Sequence, residues 1–244
     1  MEDDRTPILQ QANYAFSITD EDDPTDVQEQ VMSAYKRSQS LVQSKIQAQR
    51  KRWKAQVSNK GLVRTLETMN EQQIIHARDH NSTLKQLTRK GIPPEFRGNL
   101  WFLISGAHAR MRQQEDKKLY YTLLNKYRDH ERTEETKQVD ADLDRTFPSH
   151  PFFARRENQE SLRNILYTYS FYNRKIGYCQ SMNFLAGVLL LHMPEEHAFW
   201  TLDMILSEYL PHDLYDPTMN GLKCELHVLS ELTAERLPRV SGYL

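Results

Sequence analysis

Apolar residues recur every three or four positions along most of this chain, and polar residues fill the positions between them. That spacing matches the repeat of an α-helix, whose apolar face packs inward while its other face meets water. One such segment runs from Asp26 to about Gln56 without a glycine or proline, so the pattern predicts one long helix. Its apolar stripe is thin, which is typical of a helix lying on another surface or of a weak coiled coil.

The same periodicity predicts a series of shorter helices in the rest of the chain. We expect them, in chain order, over about 94–107, 115–138, 162–172, 181–193, 195–209 and 222–237. Hairpin signals are scarce, because Asn-Gly occurs once, at 220–221, and no strongly alternating segments flank it. The predicted fold class is therefore all-α.

Changes in polarity along the chain divide it into three predicted regions. Residues 1–24 are an acidic tail, ending in Asp-Glu-Asp-Asp-Pro, that we expect to be disordered on its own. Residues 25–83 form a helical N-terminal extension. Residues 84–244 form the main domain.

Composition excludes several classes of protein. The net charge is −1 at pH 7, so the overall charge favours neither nucleic acid nor a membrane as partner. Two cysteines, Cys179 and Cys224, cannot build a disulfide framework, and with no recognisable signal peptide they predict a reducing, cytoplasmic setting. The longest apolar run, 184–193, is shorter than the ~20 residues of a membrane span and predicts a buried helix.

A basic cluster at 45–54 surrounds Trp53 near the end of the long helix. Its cations are Lys45, Arg50, Lys51, Arg52 and Lys54. Such a cluster can contact anionic lipid or nucleic acid, which makes a peripheral contact with endomembranes one interpretation. The plainer interpretation is a solvated helix end, where cations are favourable.

Two weaker chemical signals do not predict sites. His76 and His80 would share one helix face, but a metalloprotease needs glutamate where Ala77 stands, and no third metal ligand is near. A cysteine enzyme using Cys179 would need a base, and no histidine is close in sequence, so a role in the core is the ordinary expectation.

The strongest candidate chemistry lies between Val139 and Gly187, which we interpret as holding one arginine and one glutamine near each other. Asp142 and Arg145 are three apart, so on one helical turn the carboxylate can hold and aim the guanidinium. Gln180 falls in the short loop before the apolar helix. Taken separately, a surface ion pair and a loop amide bonded to backbone are the plainer interpretations.

Three groups of residues stand out when taken together and in order: Gly91, Ile92 and Pro93 with Arg97 and Trp101; Val139, Asp142 and Arg145; and Tyr178, Gln180, Asn183 and Ala186. These groups resemble three motifs of the TBC domain, the helical module of Rab GTPase-activating proteins. The first is similar to the family's entry motif, the second to isoleucine-x-x-aspartate-x-x-arginine with valine in place of isoleucine, and the third to tyrosine-x-glutamine. The likeness runs from about residue 84 to the C-terminus and implies a TBC-type bundle of helices.

The resemblance implies a function in vesicle trafficking, as an activator that completes the active site of a GTPase. Arg145 would be an arginine finger beside the γ-phosphate, and Gln180 would orient the attacking water. Asp142 would steer Arg145, and Tyr178 would shape the glutamine loop. The partner would be a Rab-family small GTPase in its GTP form, which itself binds Mg²⁺ and the nucleotide, so this chain needs no cofactor and no metal.

Supporting functions are expected for three further residues of the motifs. Arg97 and Trp101 are four apart, so the guanidinium is predicted to lie on the indole within one helix. Asn183 continues the glutamine motif into the following helix.

Two departures from the family pattern bear on activity. Ser181 stands where the family usually has glycine, and a β-carbon restricts the loop if it needs a positive φ. Ser181 is also suited to cap the next helix. TBC domains continue with further helices after a segment like 222–238, so we interpret this chain as lacking the last helices of the domain.

Those departures keep one alternative function open. The chain would then be a non-catalytic helical module that binds a GTPase or another protein, with the long N-terminal helix as its main contact. Substitution of Arg145 would not change such a function.

Overall fold

The fold is built from helices in every part that the structure, a computed structural model, describes: residues 24–59, 61–128, 132–211, 213–215 and 218–241. These ranges contain thirteen α-helices and two short π-helical segments, and no strand. The all-α prediction is confirmed. The predicted acidic tail lies outside the described residues except for Pro24, where the first helix begins.

The helices are numbered in chain order. They are α1 Pro24–Lys54, α2 Leu62–Thr68, α3 Glu71–His80, α4 Ser82–Arg89, α5 Pro94–Ile104, α6 Ala107–Gln113, α7 Leu119–Tyr127, α8 Glu134–Leu143, α9 Arg156–Tyr172, α10 Met182–Leu190, α11 Glu195–Met204, α12 Asn220–Arg236 and α13 Pro238–Ser241, with π-helical segments at Ala55–Asn59 and Ile205–Tyr209.

Helix α9 lies at the centre of the main core and packs against α7, α8, α10 and α11. Its buried face includes Leu162, Ile165 and Leu166, which have no exposed side-chain surface. The apolar run that composition predicted to be a buried helix forms α10, which places Met182 and Ala186 in the same core. Burial of these side chains is the main source of stability, at ~25 cal/mol per Å² of apolar surface.

Trp53 is the anchor that joins the long N-terminal helix to this domain. It is fully buried against a second cluster that includes Leu84, Leu87 and Leu100, and its indole Nε1 donates a 3.0 Å hydrogen bond to the Gly91 carbonyl oxygen. The predicted solvated helix end is therefore wrong for Trp53, whose flanking cations are exposed or half-buried while its ring points inward.

Packing also crosses the boundary that we predict at residue 84. Leu66 in α2 and Ile74 in α3 are buried; α2 packs against α5 and α6, and α3 packs against α6. The three-region division stays a prediction, but α2 and α3 pack directly on helices of the predicted domain.

Two helix boundaries differ from the periodicity-based expectation. Gly106 adopts a φ of 89°, a left-handed conformation that separates α5 from α6, so Ala107 begins the next helix. The helix predicted over 115–138 is instead two, α7 and α8. Thr133 caps α8, because its side chain accepts a hydrogen bond from the Thr136 backbone N–H. Apolar periodicity does not report such local stops.

Helix α5 approaches the C-terminal end of α10 at a glycine. A β-carbon at Gly98 would lie 1.9 Å from the His192 carbonyl oxygen, so only glycine permits this crossing. The close approach holds the end of α10, whose beginning follows the predicted glutamine loop.

A buried charge network ties α3, α6 and α11 together around Arg110. Its Nη1 contacts Asp203 at 3.0 Å and Ser207 at 2.6 Å, and its Nη2 contacts Glu71 at 2.6 Å and Glu208 at 2.7 Å. Asp203 is almost fully buried, and burial raises the pKa of its carboxyl. The guanidinium therefore offsets the free energy that burial of this carboxylate costs.

Candidate functional site

Helix α8, which leads into the predicted arginine, is held against α9 by Asp140. Arg163 Nε donates to Asp140 Oδ1 at 2.8 Å, and the Tyr167 hydroxyl donates to Asp140 Oδ2 at 2.8 Å. The Arg163 guanidinium also lies 4.1 Å from the centre of the Tyr167 ring. These contacts fix the end of α8 relative to the core before the arginine loop begins.

Asp142 is the centre of the site. Its side chain has 0% exposure, whereas that of Arg145 is 50% exposed, three residues later and just beyond the helix end. Arg145 Nη2 forms an ion pair with Asp142 Oδ1. The buried carboxylate thus holds one side of the guanidinium and leaves the other side in solvent, as predicted from the spacing.

Tyr178 binds the same carboxylate from the other motif. Its hydroxyl donates a 2.5 Å hydrogen bond to Asp142 Oδ2. Burial, and then the hydrogen bond to Asp142, raise the pKa of Tyr178, so the hydroxyl stays protonated and remains a donor at neutral pH. Sequence reasoning assigned Tyr178 to the glutamine loop, and the structure adds that its hydroxyl reaches the arginine's own carboxylate.

Gln180 follows Tyr178 by two residues and lies exposed in a turn before α10. Ser181, next to it, has φ 86° and ψ −20°, which is a left-handed conformation. The predicted capping of α10 is wrong, because the Ser181 side chain makes no capping hydrogen bond and its Oγ instead lies 3.1 Å from the Tyr215 hydroxyl. The turn presents the Gln180 side chain outward.

A buried hydrogen-bond chain connects the two loops. Asn183 Nδ2 donates to Thr146 Oγ1 at 2.7 Å, and the Thr146 hydroxyl donates to the Asp142 carbonyl oxygen at 2.6 Å. Both side chains are buried. This contact gives Asn183 a structural reason for its predicted supporting function, and it adds Thr146, which the sequence reasoning missed although it directly follows Arg145.

Gly187 lets the arginine loop lie directly on α10. A β-carbon there would lie 3.0 Å from Phe147 Cε2 and 3.2 Å from Thr146 Cγ2, both tighter than an ordinary van der Waals contact. Phe147 itself has φ 48°, so the loop is sharply bent at this point. The absence of a side chain on α10 is what allows the loop to take that path.

Arg97 and Trp101 do not form the predicted stacked pair. Arg97 Nε donates a 3.0 Å hydrogen bond to the Ile92 carbonyl oxygen, and the Trp101 ring packs edge-on against His192 with ring centres 4.8 Å apart. The helix spacing permitted the stack, but Arg97 binds the turn that precedes α5, and Trp101 packs on a residue from beyond the end of α10. These two residues brace the entry to α5.

Metal and cysteine chemistry gain no support from the geometry. The described residues contain no group of three or more histidine, cysteine, aspartate or glutamate side chains that could hold a metal. The rings of His76 and His80 stack on each other. The Cys179 thiol lies 3.2 Å from the Tyr215 carbonyl oxygen, to which it donates. No helix in the described ranges is long and apolar enough to cross a membrane.

The site therefore combines a half-exposed arginine, an exposed glutamine and one buried aspartate. A family model described as the Rab-GTPase-TBC domain matches residues 94–244. The chain belongs to the Rab-GTPase-TBC domain family. The resemblance to the TBC family is thereby confirmed.

Relatives of this TBC domain share more than a third of its residues in the matched region. Human growth hormone-regulated TBC protein 1 is 40% identical over 166 residues, covering 66% of this chain and 48% of the relative. The yeast (Saccharomyces cerevisiae) GTPase-activating protein GYP3 is 38% identical over 175 residues, covering 66% of this chain and 27% of the relative. The chain thus spans about half the length of the human relative and about a quarter of the yeast one.

Solved structures show the same fold. The crystal structure of the Chlamydomonas flagellar RabGAP TBC domain superposes with a TM-score of 0.60 at 23% identity, covering 82% of this chain and 63% of the other. The Ypt/Rab-GAP domain of Gyp1p gives a TM-score of 0.56 at 20% identity, covering 81% of this chain and 67% of the other. At these identities the likeness concerns the fold alone.

The serine that replaces the usual TBC glycine occupies a conformation that favours glycine, so Ser181→Gly is expected to stabilise the protein. A left-handed residue with a β-carbon costs ~1–2 kcal/mol, and glycine removes that cost while losing one exposed hydrogen bond to Tyr215. We expect the free energy of unfolding, measured in urea, to rise by about 1 kcal/mol.

Ser181→Ala is the matched control, because it keeps the β-carbon and loses only the hydroxyl. We expect this variant to be no more stable than the wild type. Equal stability of the glycine and alanine variants would show that the conformation of residue 181 stores no strain.

Proposed function

We propose that this TBC domain stimulates GTP hydrolysis by a Rab-family small GTPase and supplies Arg145 and Gln180 to the partner's active site. One observation carries the proposal: both side chains are solvent-facing, and both loops are anchored on the buried carboxylate of Asp142, through the Arg145 ion pair and the Tyr178 hydroxyl. An ion pair with no function beyond the protein surface would not require a carboxylate that is fully buried.

Phosphoryl transfer to water needs positive charge near the phosphate and an oriented nucleophile, and little covalent chemistry from the protein. An exposed arginine and an exposed glutamine can supply these two functions. The exposed side of the Arg145 guanidinium would lie against the γ-phosphate and stabilise charge in the transition state. An arginine supplied in this way contributes ~10³–10⁵-fold in rate, or roughly 4–7 kcal/mol.

Gln180 would hold the attacking water, since a carboxamide can accept a hydrogen bond from water and donate one to a phosphate oxygen. The left-handed residue after it, and Asn183, which ties the start of α10 to Thr146, would hold the Gln180 loop in place. Arg145 and Gln180 would therefore approach the nucleotide as one preorganised unit.

The partner that fits this arrangement is the GTP-bound form of the GTPase, because the γ-phosphate is the group that Arg145 would contact. The partner would supply Mg²⁺ and the nucleotide. The relative named GTPase-activating protein GYP3 supports the assignment of activity. We further propose that the protein acts in the cytoplasm or at the cytoplasmic face of endomembranes.

The proposal is tested by single-turnover GTP hydrolysis across a panel of purified Rab proteins. We expect at least one Rab to be stimulated, and we expect Gln180→Ala to lower that stimulation by roughly 10²-fold. Gln180 is exposed, so its truncation should leave the thermal unfolding midpoint unchanged. Gln113→Ala, an equally exposed glutamine at the end of α6, is the matched control and should retain full stimulation.

The alternative, a non-catalytic binding module, predicts a different result in the same experiment. A GTP-bound Rab would bind the chain, but its hydrolysis would stay at the basal rate, and the Gln180→Ala variant would behave like the wild type. That outcome would contradict the catalytic proposal.

A further inference from the structure

The segment between Glu29 and Glu67 carries positive charge and contains no carboxylate side chain of its own. Residues 30–66 contain no aspartate or glutamate. Their cations are Lys36, Arg37, Lys45, Arg50, Lys51, Arg52, Lys54, Lys60 and Arg64. A net charge near zero for the whole chain therefore conceals one strongly cationic element, most of which is α1.

A groove of about 550 Å³ runs between the second half of α1 and the turn that precedes α5. Four cations line it: Lys45 and Arg52 from α1, Lys90 from the turn, and Arg97 from α5. Among the described residues no carboxylate lines this groove. Four like charges around one cavity repel each other, and a bound anion would relieve that repulsion.

Glu95, which follows the lining residue Pro94, does not neutralise the groove, because it is already paired. Glu95 forms an ion pair with Arg50, and the hydrogen bond to Arg50 lowers the pKa of this carboxyl. Arg50 does not line the groove. Glu95 is therefore not available to the four cations that line the groove.

Apolar side chains stand beside these cations at the surface. Leu41 and Val42 on α1 are 62% and 50% exposed, and Val42 and Ile46 line the groove itself. Trp53 cannot serve as a membrane anchor, since it is buried in the domain. Gln49 also lines the groove.

We propose that this groove binds the headgroup of an acidic phospholipid and docks the domain on a membrane surface through α1. The phosphate would lie among Lys45, Arg52 and Lys90, and Leu41 and Val42 would enter the acyl boundary. Cations and exposed aliphatic side chains on one helix face are the combination that binds anionic membranes. A nucleic acid or a phosphopeptide would use the charges but gives no function to the aliphatic pair.

The test is vesicle co-sedimentation of the full chain. The vesicles are pure phosphatidylcholine, phosphatidylcholine with 30 mol% phosphatidylserine, and phosphatidylcholine with a phosphatidylinositol bisphosphate at matched charge. We expect binding to the anionic vesicles only, with strong weakening at high salt. A cation near an anionic surface contributes about fivefold in affinity, so the triple variant Lys45→Gln, Arg52→Gln, Lys90→Gln should lose on the order of 100-fold.

Two control variants separate this site from general charge. The triple variant Lys118→Gln, Lys126→Gln, Lys137→Gln removes the same charge at positions outside the groove: the residue before α7, α7 itself and α8. It should lose far less affinity. Leu41→Ser with Val42→Ser changes only exposed positions, so the fold should survive. It should weaken vesicle binding while soluble inositol hexakisphosphate still binds.

Three results would overturn the proposal. One is the absence of binding to either anionic vesicle, and another is equal loss in the two triple variants. The third is tighter binding to a single-stranded oligonucleotide or a phosphopeptide that is insensitive to the Leu41 and Val42 substitutions. Stimulation of a soluble GTPase is a separate readout that the groove variants should leave unchanged, so the two proposals fail independently.

Discussion

Arg145→Ala is expected to reduce the stimulation of GTP hydrolysis by ~10³–10⁵-fold, the contribution of an arginine supplied in trans. The physical reason is that the transition-state charge on the γ-phosphate loses a cation placed against it. The measurement is single-turnover hydrolysis with the Rab that responds best to the wild type, and Arg128→Ala, an exposed arginine at the end of α7, is the control. Stimulation that survives in Arg145→Ala would contradict the proposed mechanism.

A loss of activity in Arg145→Ala could also arise from structure, because Asp142 would keep a buried charge with only Tyr178 beside it. Arg145→Lys separates the two effects. A lysine keeps a cation beside Asp142, so the urea midpoint should stay near that of the wild type, but it lacks the planar fork that pairs with carboxylate and phosphate together. We expect Arg145→Lys to be stable and still strongly impaired.

Arg110→Leu is expected to lower the free energy of unfolding by about 3–5 kcal/mol, which is the typical effect of removing one partner of a buried ion pair. The substitution fills similar volume but leaves Asp203 in the core without its cation, and it removes contacts that tie α3 to α6 and to the segment after α11. Urea unfolding of the two proteins measures the difference. A change below about 1 kcal/mol would show that the network does not hold the bundle together.

The pH dependence of this variant identifies the responsible carboxyl. Burial already raises the pKa of Asp203, and without Arg110 it should rise further. A carboxyl whose pKa is higher in the folded than in the unfolded state binds a proton on folding, so lowering the pH toward about 4 should reduce the deficit of Arg110→Leu. Adding Asp203→Asn should recover part of the lost stability at neutral pH.

Much of the fold was predictable from sequence because helices are local structures. The periodic segments at 162–172, 195–209 and 222–237 correspond to α9, to α11 with its π-helical extension, and to α12. Their signals come from residues three and four apart, which any helix brings together. The merged prediction over 115–138 failed because its interruption depends on capping and turn geometry rather than on periodicity.

Contacts outside a residue's own helix were beyond such reasoning. Spacing alone allowed Arg97 to stack on Trp101, yet Arg97 binds the Ile92 carbonyl oxygen in the turn before the helix, and Trp101 packs on the distant His192. The cations around Trp53 favoured a solvated helix end, yet its indole is buried and bonded to Gly91, 38 residues away. In both cases competing partners from elsewhere in the chain decided the outcome.

The sequence by itself determined the all-α class and the order of the main helices, since helical periodicity is written in neighbouring residues, and its resemblance to the TBC family made Arg145 and Gln180 the candidate pair. Only the tertiary structure decided that both loops share one buried carboxylate. Asp142 meets Tyr178 across 36 positions, and Thr146 meets Asn183 across 37. Such contacts form only when α8, α9 and α10 pack into one core, because that packing removes water from the carboxylate and brings the two loops to the same surface.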